Sequence, residues 1–183
     1  MASRNIAVLV GSLRKQSFTL KVARTLILLA PPGLELEIVE IGQLPLYNQD
    51  EDDKPPPTHV EFRDKIKAFD GVLFCTPEYN RSIPAPLKNA IDVGSRPHGQ
   101  SVWSGKPCAI VSVSPGVIGG FGANHHLRQS LVFLNMPAMQ QPEAYVGSIG
   151  NQFDGDELTN ESTKGFLQKF IDAYAAWVER HAD

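Results

Sequence analysis

Cysteine, net positive charge and long apolar runs are all scarce in this chain. Only two of its 183 residues are cysteine, too few for a disulfide framework or for thiolate ligation of an iron–sulfur cluster. Cys75 (in VLFCT) and Cys108 (in KPCAIVSV) each fall inside an apolar run that reads as a buried strand. Both are expected as free thiols, which points to a reducing compartment. Lysine and arginine number 17 against 20 acidic residues, for a net charge of −3. That balance lacks the basic footprint of a nucleic-acid binder. No apolar run approaches the roughly 20 residues that span a bilayer, so no membrane partner is expected. The opening MASRNIAVLVGS lacks the h-region of a signal peptide, and the expected location is cytoplasmic. The five histidines show no zinc spacing, so no metal is expected. No internal repeat is present.

What is there is an alternation of two kinds of apolar pattern. Residues 6–10, 71–76 and 107–113 are continuous apolar runs, the mark of strands covered on both faces. Residues 34–39 alternate, as an edge strand does. A fifth strand is expected between 136 and 146. Helical spacing marks residues 18–30, 58–69, 85–93, 122–134 and 163–180. Thr58 and Glu61 are spaced as a capping box for the second of these helices. Five β-α units imply a parallel sheet with helices on both faces. The expected class is α/β, a doubly wound, flavodoxin-like three-layer fold with five parallel strands in the order 2-1-3-4-5, as a single domain over residues 1–183. Ligands of such sheets bind beyond the carboxyl ends of the strands, so three loops carry the interest.

After the first strand the chain reads Gly11-Ser12-Leu13-Arg14-Lys15-Gln16-Ser17-Phe18-Thr19. A helix start offers unpaired N–H groups and a positive dipole end. Three hydroxyls and two cations sit within the same nine residues. The segment has neither GxxxxGK[ST] nor GxGxxG, which weighs against nucleoside triphosphates and Rossmann dinucleotide sites and leaves a phosphate monoester such as that of FMN. The competing reading is that Ser17 only caps the helix and the cations are solvated.

After the third strand come Thr76-Pro77-Glu78-Tyr79-Asn80-Arg81-Ser82. They read either as a proline turn stabilised by Asn80, or as the wall of a planar heterocycle, with Tyr79 as apolar surface and Asn80 as hydrogen-bonding group. Glu78 then orients the loop and need not touch the ligand. After the fourth strand, Ser114-Pro115-Gly116 and the glycines beyond either form a flexible loop or bring backbone N–H groups close to a ligand.

GSLRKQS at 11–17, TPEYNRSIPAPLKNAID at 76–92 and SPGVIGG at 114–120 together resemble the NADPH-dependent FMN reductase family, in particular its bacterial quinone- and chromate-reductase branch. The resemblance runs from about Asn5 to Val146. It implies bound FMN, NAD(P)H as donor, and quinones and, promiscuously, chromate as acceptors, reduced in ping-pong fashion by two-electron transfer. The implied phosphate site is Ser12, Leu13, Arg14, Lys15, Gln16, Ser17, Phe18 and Thr19. The ring would meet Pro77, Glu78, Tyr79 and Asn80 on one side and Ser114 and Gly116 on the other. Thr19 stands where relatives often have asparagine, and Gln16 where they often have glycine. Hydride transfer needs no protein nucleophile, so no catalytic acid or base is expected. Arg81, Ser82 and Arg96 are candidates for substrate contact, with His98 ranked beside them. Relatives form homodimers and often homotetramers. On that likeness Arg128 and Glu143 are candidates for an interface ion pair, and Trp103 and Phe121 for covering a neighbouring subunit's site. His125 and His126 read as helix-surface or interface residues. Two other functions fit the same fold: a reductase that releases free reduced flavin, and a non-enzymatic electron carrier. A carrier would be far more acidic than −3.

Overall fold

A computed structural model describes residues 3–181. Five parallel strands, β1 (Arg4–Val10), β2 (Leu34–Ile38), β3 (Gly71–Pro77), β4 (Cys108–Val113) and β5 (Ala144–Val146), pair in the order β2-β1-β3-β4-β5. The expected order is therefore the observed one. β1, β3 and β4 are nearly all buried because helices cover both their faces. Alternate residues feed two cores. Ile6, Val8 and Val10 meet α1 (Phe18–Leu29) and α5 (Glu161–His181). Ala7 and Leu9 meet α2 (Pro57–Lys67), α3 (Ala85–Ser95) and α4 (Phe121–Phe133).

The chain adds one element that polarity alone does not announce. Strands β6 (Phe153–Asp154) and β7 (Glu157–Leu158) form a short hairpin within the polar stretch after β5. It clasps α1: Lys21 Nζ donates to the Gly155 carbonyl and lies 3.3 Å from Asp156, which Arg24 also approaches at 3.4 Å.

Two expectations are corrected. Thr58 does not cap α2. The helix begins at Pro57, whose ring presets the first-turn φ, so Thr58 lies inside the first turn and its hydroxyl is buried without a partner. Within this helix Phe62 and Ile66 are buried and Val60 is exposed. Trp103 does not cover any neighbour's site. It is fully buried, edge-on to Phe62 with ring centres 6.1 Å apart, and its indole N–H donates to the Ile91 carbonyl at 2.9 Å. Gly94 allows this, since a Cβ there would overlap the indole. A large aromatic side chain is worth more in the core than at a loop tip.

Cys75 and Cys108 are buried and free. Burial pushes the Cys75 thiol well up and the Cys108 thiol up to about 12, because a thiolate would lie in apolar surroundings. Neither should react with a thiol-specific disulfide reagent while the protein is folded, and both should react in denaturant. Fast labelling of the native protein would contradict this burial. Trp103→Ala should cost about 3–5 kcal/mol and lower Tm by on the order of 10 °C, measured by thermal unfolding. A shift of a degree or two would show that the indole is not a core element.

Candidate functional site

At the carboxyl edge of the sheet, Val10 pairs with Cys75 and Pro77 with Val113. Three neighbouring strands therefore release their loops side by side. Between the loops lies an open cleft of about 240 Å³, with Ser12, Arg14, Ser17, Phe18 and Thr19 at one end, and Pro77, Glu78, Tyr79, Val113, Ser114 and Pro115 around the rest. The residues singled out in three separate sequence segments thus meet in space.

The end of the cleft at Ser12–Thr19 is built from a helix start. Ser17 is the N-cap of α1, and its Oγ accepts from the Leu20 N–H at 2.9 Å. The capping reading is therefore right, and it does not compete with the anion reading. The Ser17 hydroxyl proton is still free to donate. The N–H groups of Phe18 and Thr19 come before Lys21, whose N–H makes the first intrahelical bond, to the Ser17 carbonyl, so they have no acceptor within the helix. Ser17 and Thr19 are nearly buried yet line the cleft. Arg14 brings the full charge. Hydroxyls, first-turn N–H groups and one guanidinium are a donor-rich set of the kind a phosphate dianion requires.

Leu13, Lys15 and Gln16 are exposed and their side chains do not line this cleft. Leu13 packs toward Gly42, and both Leu13 and Lys15 line the opposite side of the loop.

The wall after β3 is a tight hairpin. Tyr79 and Ser82 exchange backbone hydrogen bonds, each at 2.9 Å, and both central residues, Asn80 and Arg81, have positive φ of 51° and 64°. Asparagine suits that conformation, whereas arginine there is uncommon. The turn leaves Tyr79 half exposed above the cleft. Glu78 is turned inward. Its Oε2 accepts from the Ala123 N–H at 3.0 Å and its Oε1 from Arg81 at 3.1 Å. The carboxylate thereby caps α4, whose own N-cap, Gly120, has a left-handed backbone and no side chain to offer. Gly122 makes room for it: a Cβ there would sit 2.9 Å from Glu78 Oε2. Glu78 orients two walls of the cleft at once, as the sequence suggested, and its charge is met within the protein.

The loop after β4 folds on itself. The Gly116 N–H donates to Ser114 Oγ at 3.1 Å, and the Gly116 carbonyl accepts from Gly119 and Ser148. Gly116 is thus spent on the loop's own shape, while Pro115 and Val113, absent from the candidate residues read from sequence, line the cleft. Proline beside a strand end was the one signal for them.

The remaining candidates scatter. Arg81 pairs with Glu78 and is largely exposed. Ser82 Oγ lies 2.6 Å from His126 Nδ1, a second tie between hairpin and α4. Arg96 is not brought to the cleft. It follows the last residue of α3, and that 11-residue helix, about 16 Å long, begins at the cleft edge and carries it away. His98 is exposed on the same distant loop. Within one chain Arg128 bonds to Asn124 and the Met139 carbonyl. His125 packs against both Phe121 and Tyr145, which also touch each other, with its Nε2 2.8 Å from the Tyr145 hydroxyl and 3.9 Å from Glu143.

Glu78→Ala should leave the Ala123 N–H without its acceptor and lower stability by about 1–2 kcal/mol. Glu78→Gln, which keeps an acceptor oxygen, should lose less. Thermal unfolding of the two variants compares them, and equal losses would mean the cap is not what Glu78 contributes.

A family model described as NADPH-dependent FMN reductase matches residues 4–151. A quinone reductase of Pseudomonas putida is 63% identical over 176 residues, covering 96% of this chain and 95% of its own. A 2-hydroxy-1,4-benzoquinone reductase of a Burkholderia species is 48% identical over 174 residues, covering 94% of this chain and 95% of its own. Among solved structures, FerB of Paracoccus denitrificans, a flavoenzyme NAD(P)H:(acceptor) oxidoreductase, superposes with a TM-score of 0.93 at 42% identity, over 98% of this chain and 100% of FerB.

Proposed function

The chain belongs to the NADPH-dependent FMN reductase family, and from that premise we propose that it is a single-domain FMN flavoprotein that takes reducing equivalents from NAD(P)H and reduces quinones. The observation that carries this reading is the cleft itself: a donor-rich end suited to a phosphate and a tyrosine and proline wall at the other, on adjoining strand ends. The residue set fits FMN. Ser12, Arg14, Ser17 and Thr19, with the first-turn N–H groups of Phe18 and Thr19, would hold the phosphate. Pro77, Tyr79, Asn80, Ser114 and Pro115 would flank the ring, with Glu78 setting the hairpin. Leu13, Lys15, Gln16 and Gly116 would shape the two loops. The chemistry such a group supplies when bound is hydride acceptance from NAD(P)H and two-electron delivery to an acceptor.

The protein's part is binding, orientation and electrostatics. Arg14 and the α1 start offset phosphate charge. The Glu78 carboxylate, paired with Arg81 and the Ala123 N–H, adds no free negative charge beside an anionic ligand. Tyr79 stands at the cleft mouth, where its face is free for a planar molecule to stack. Donor and acceptor would use this open space in turn, and its width suits quinones of varied shape and, secondarily, chromate. Arg81 and Ser82, at the hairpin tip, would meet the incoming acceptor.

One copy leaves the mouth bare. Tyr79, Val117, Ile118 and Phe121 all expose apolar surface around it. A homodimer, and from it a homotetramer, would cover that surface, Phe121 being the residue placed to contribute. Two buried free thiols favour the reducing cytoplasm.

The test is anaerobic reduction of the purified flavoprotein by NADH and NADPH, followed by mixing with quinones, chromate and free FMN. Reduction by the pyridine nucleotide and reoxidation by a quinone, with parallel lines in steady-state plots, is the expected result. Reduction without turnover on any quinone would mark an electron carrier, and preferential transfer to free FMN a supplier of reduced flavin. Arg14→Ala should weaken FMN binding about tenfold, the loss of one exposed charge-assisted contact, read by flavin fluorescence quenching. Unchanged affinity would remove Arg14 from the phosphate site.

A further inference from the structure

Lys15 faces a second cleft. This space, about 360 Å³, lies between the loop after β1 and residues 38–43 after β2. Ser12 and Arg14 line both clefts, so a single loop separates them. Leu13 closes the seam between the two loops, its Cδ2 lying 3.1 Å from where a side chain on Gly42 would begin. The floor is apolar, formed by Val10, Leu20, Ile38 and Ile41. The rim carries Arg14, Lys15, Glu40 and Gln43.

The rim cations are uncommitted. Among the described residues neither the Arg14 nor the Lys15 side chain has an ion pair or hydrogen bond, whereas Lys21, Arg24, Lys65, Lys67, Arg81 and Lys88 are all paired with carboxylates. One phosphate monoester in the first cleft calls on Arg14 and leaves Lys15 unused. An apolar floor takes the flat face of a base, two adjacent cations take a pyrophosphate, and an amide and a carboxylate at the rim take amine and ribose hydroxyl protons.

We propose that this second cleft seats the adenosine diphosphate half common to NADH and NADPH, with Lys15 and Arg14 on the pyrophosphate and Gln43 and Glu40 on the adenosine. The assignment rests on NAD(P)H being the donor. It gives the first-strand loop two faces, one toward the flavin phosphate and one toward the donor's phosphates. Arg14, common to both, sits where their negative charges would come nearest.

Two measurements test it. The first is calorimetric titration of the FMN-loaded protein with ADP, which carries no nicotinamide and reports the second cleft alone. Binding that competes with NADH is expected. Lys15→Glu and Gln43→Trp should each weaken it about tenfold or more, the loss of one charged contact and the filling of the floor respectively. The second compares NADH with reduced nicotinamide mononucleotide, which lacks the adenosine half. The ratio of their KM values should move toward one in both variants. Absence of ADP binding, or an ADP affinity and a KM ratio unmoved by either substitution, would overturn the proposal. A protein that binds ADP and is reduced by neither donor would instead overturn the reductase reading, leaving a nucleotide site with a different occupant.

Discussion

The parallel register at the carboxyl edge of β1, β3 and β4 is the constraint on which everything else here depends. With Val10 opposite Cys75 and Pro77 opposite Val113, the three strands end at nearly one height. The Gly11 N–H continues the ladder to the Cys75 carbonyl at 2.8 Å, and the Ser114 N–H continues it to Val146 at 3.0 Å. A parallel strand must return through a crossover, and here each crossover is a helix. Each of the three loops therefore runs from a strand end to a helix start, and α1, α3 and α4 all begin at the same edge. A chain of modest net charge thus gathers helix-start N–H groups, Arg14 and three hydroxyls at one place on that edge.

The loops are held to one another by a few side chains. Glu78 is the clearest case: one oxygen caps α4 and the other pairs with Arg81 across the hairpin. Ser82 and His126 add a second tie a turn further along α4. The hairpin that carries Tyr79 is therefore fastened to a helix whose far side bears Leu127 and Leu131, both fully buried. A wall anchored this way keeps its position while its outer face stays open. Preorganisation of this kind is what a site needs when the chemistry belongs to a bound group and the protein supplies placement.

Much of this was legible beforehand, and the exceptions have physical causes. Continuous apolar runs announced β1, β3 and β4 because strands covered on both faces tolerate no polar position. The helix patterns were right to within a few residues. β5 is only three residues long, too short for a pattern, and the β6–β7 hairpin is held by Lys21 and Arg24 on a distant helix and not by its own alternation. Thr58 and Glu61 had capping-box spacing, but Pro57 starts the helix two residues too early for them. Trp103 sat in a polar loop and read as exposed. Its burial depends on Gly94, nine positions away and on another element. Arg96 was paired with the cleft by residue type alone, and the length of α3 removes it. That Glu78 can orient its loop was readable from its place after a buried strand, but its partners, the Ala123 N–H and Arg81, were not.

Composition, periodicity and the three loop motifs by themselves determined the fold class, the strand order and the sheet edge at which the three loops gather, because these follow from local pattern and from the few ways a parallel sheet can be wound. Only the tertiary structure decided which face of the Ser12–Thr19 loop each side chain takes. It alone showed that Glu78 closes α4, that Pro115 and Val113 join the cleft, that Trp103 belongs to the core, and that a second cleft opens beside the first. Those outcomes rest on contacts between segments far apart in the chain, where the space left by one element fixes what the next can do.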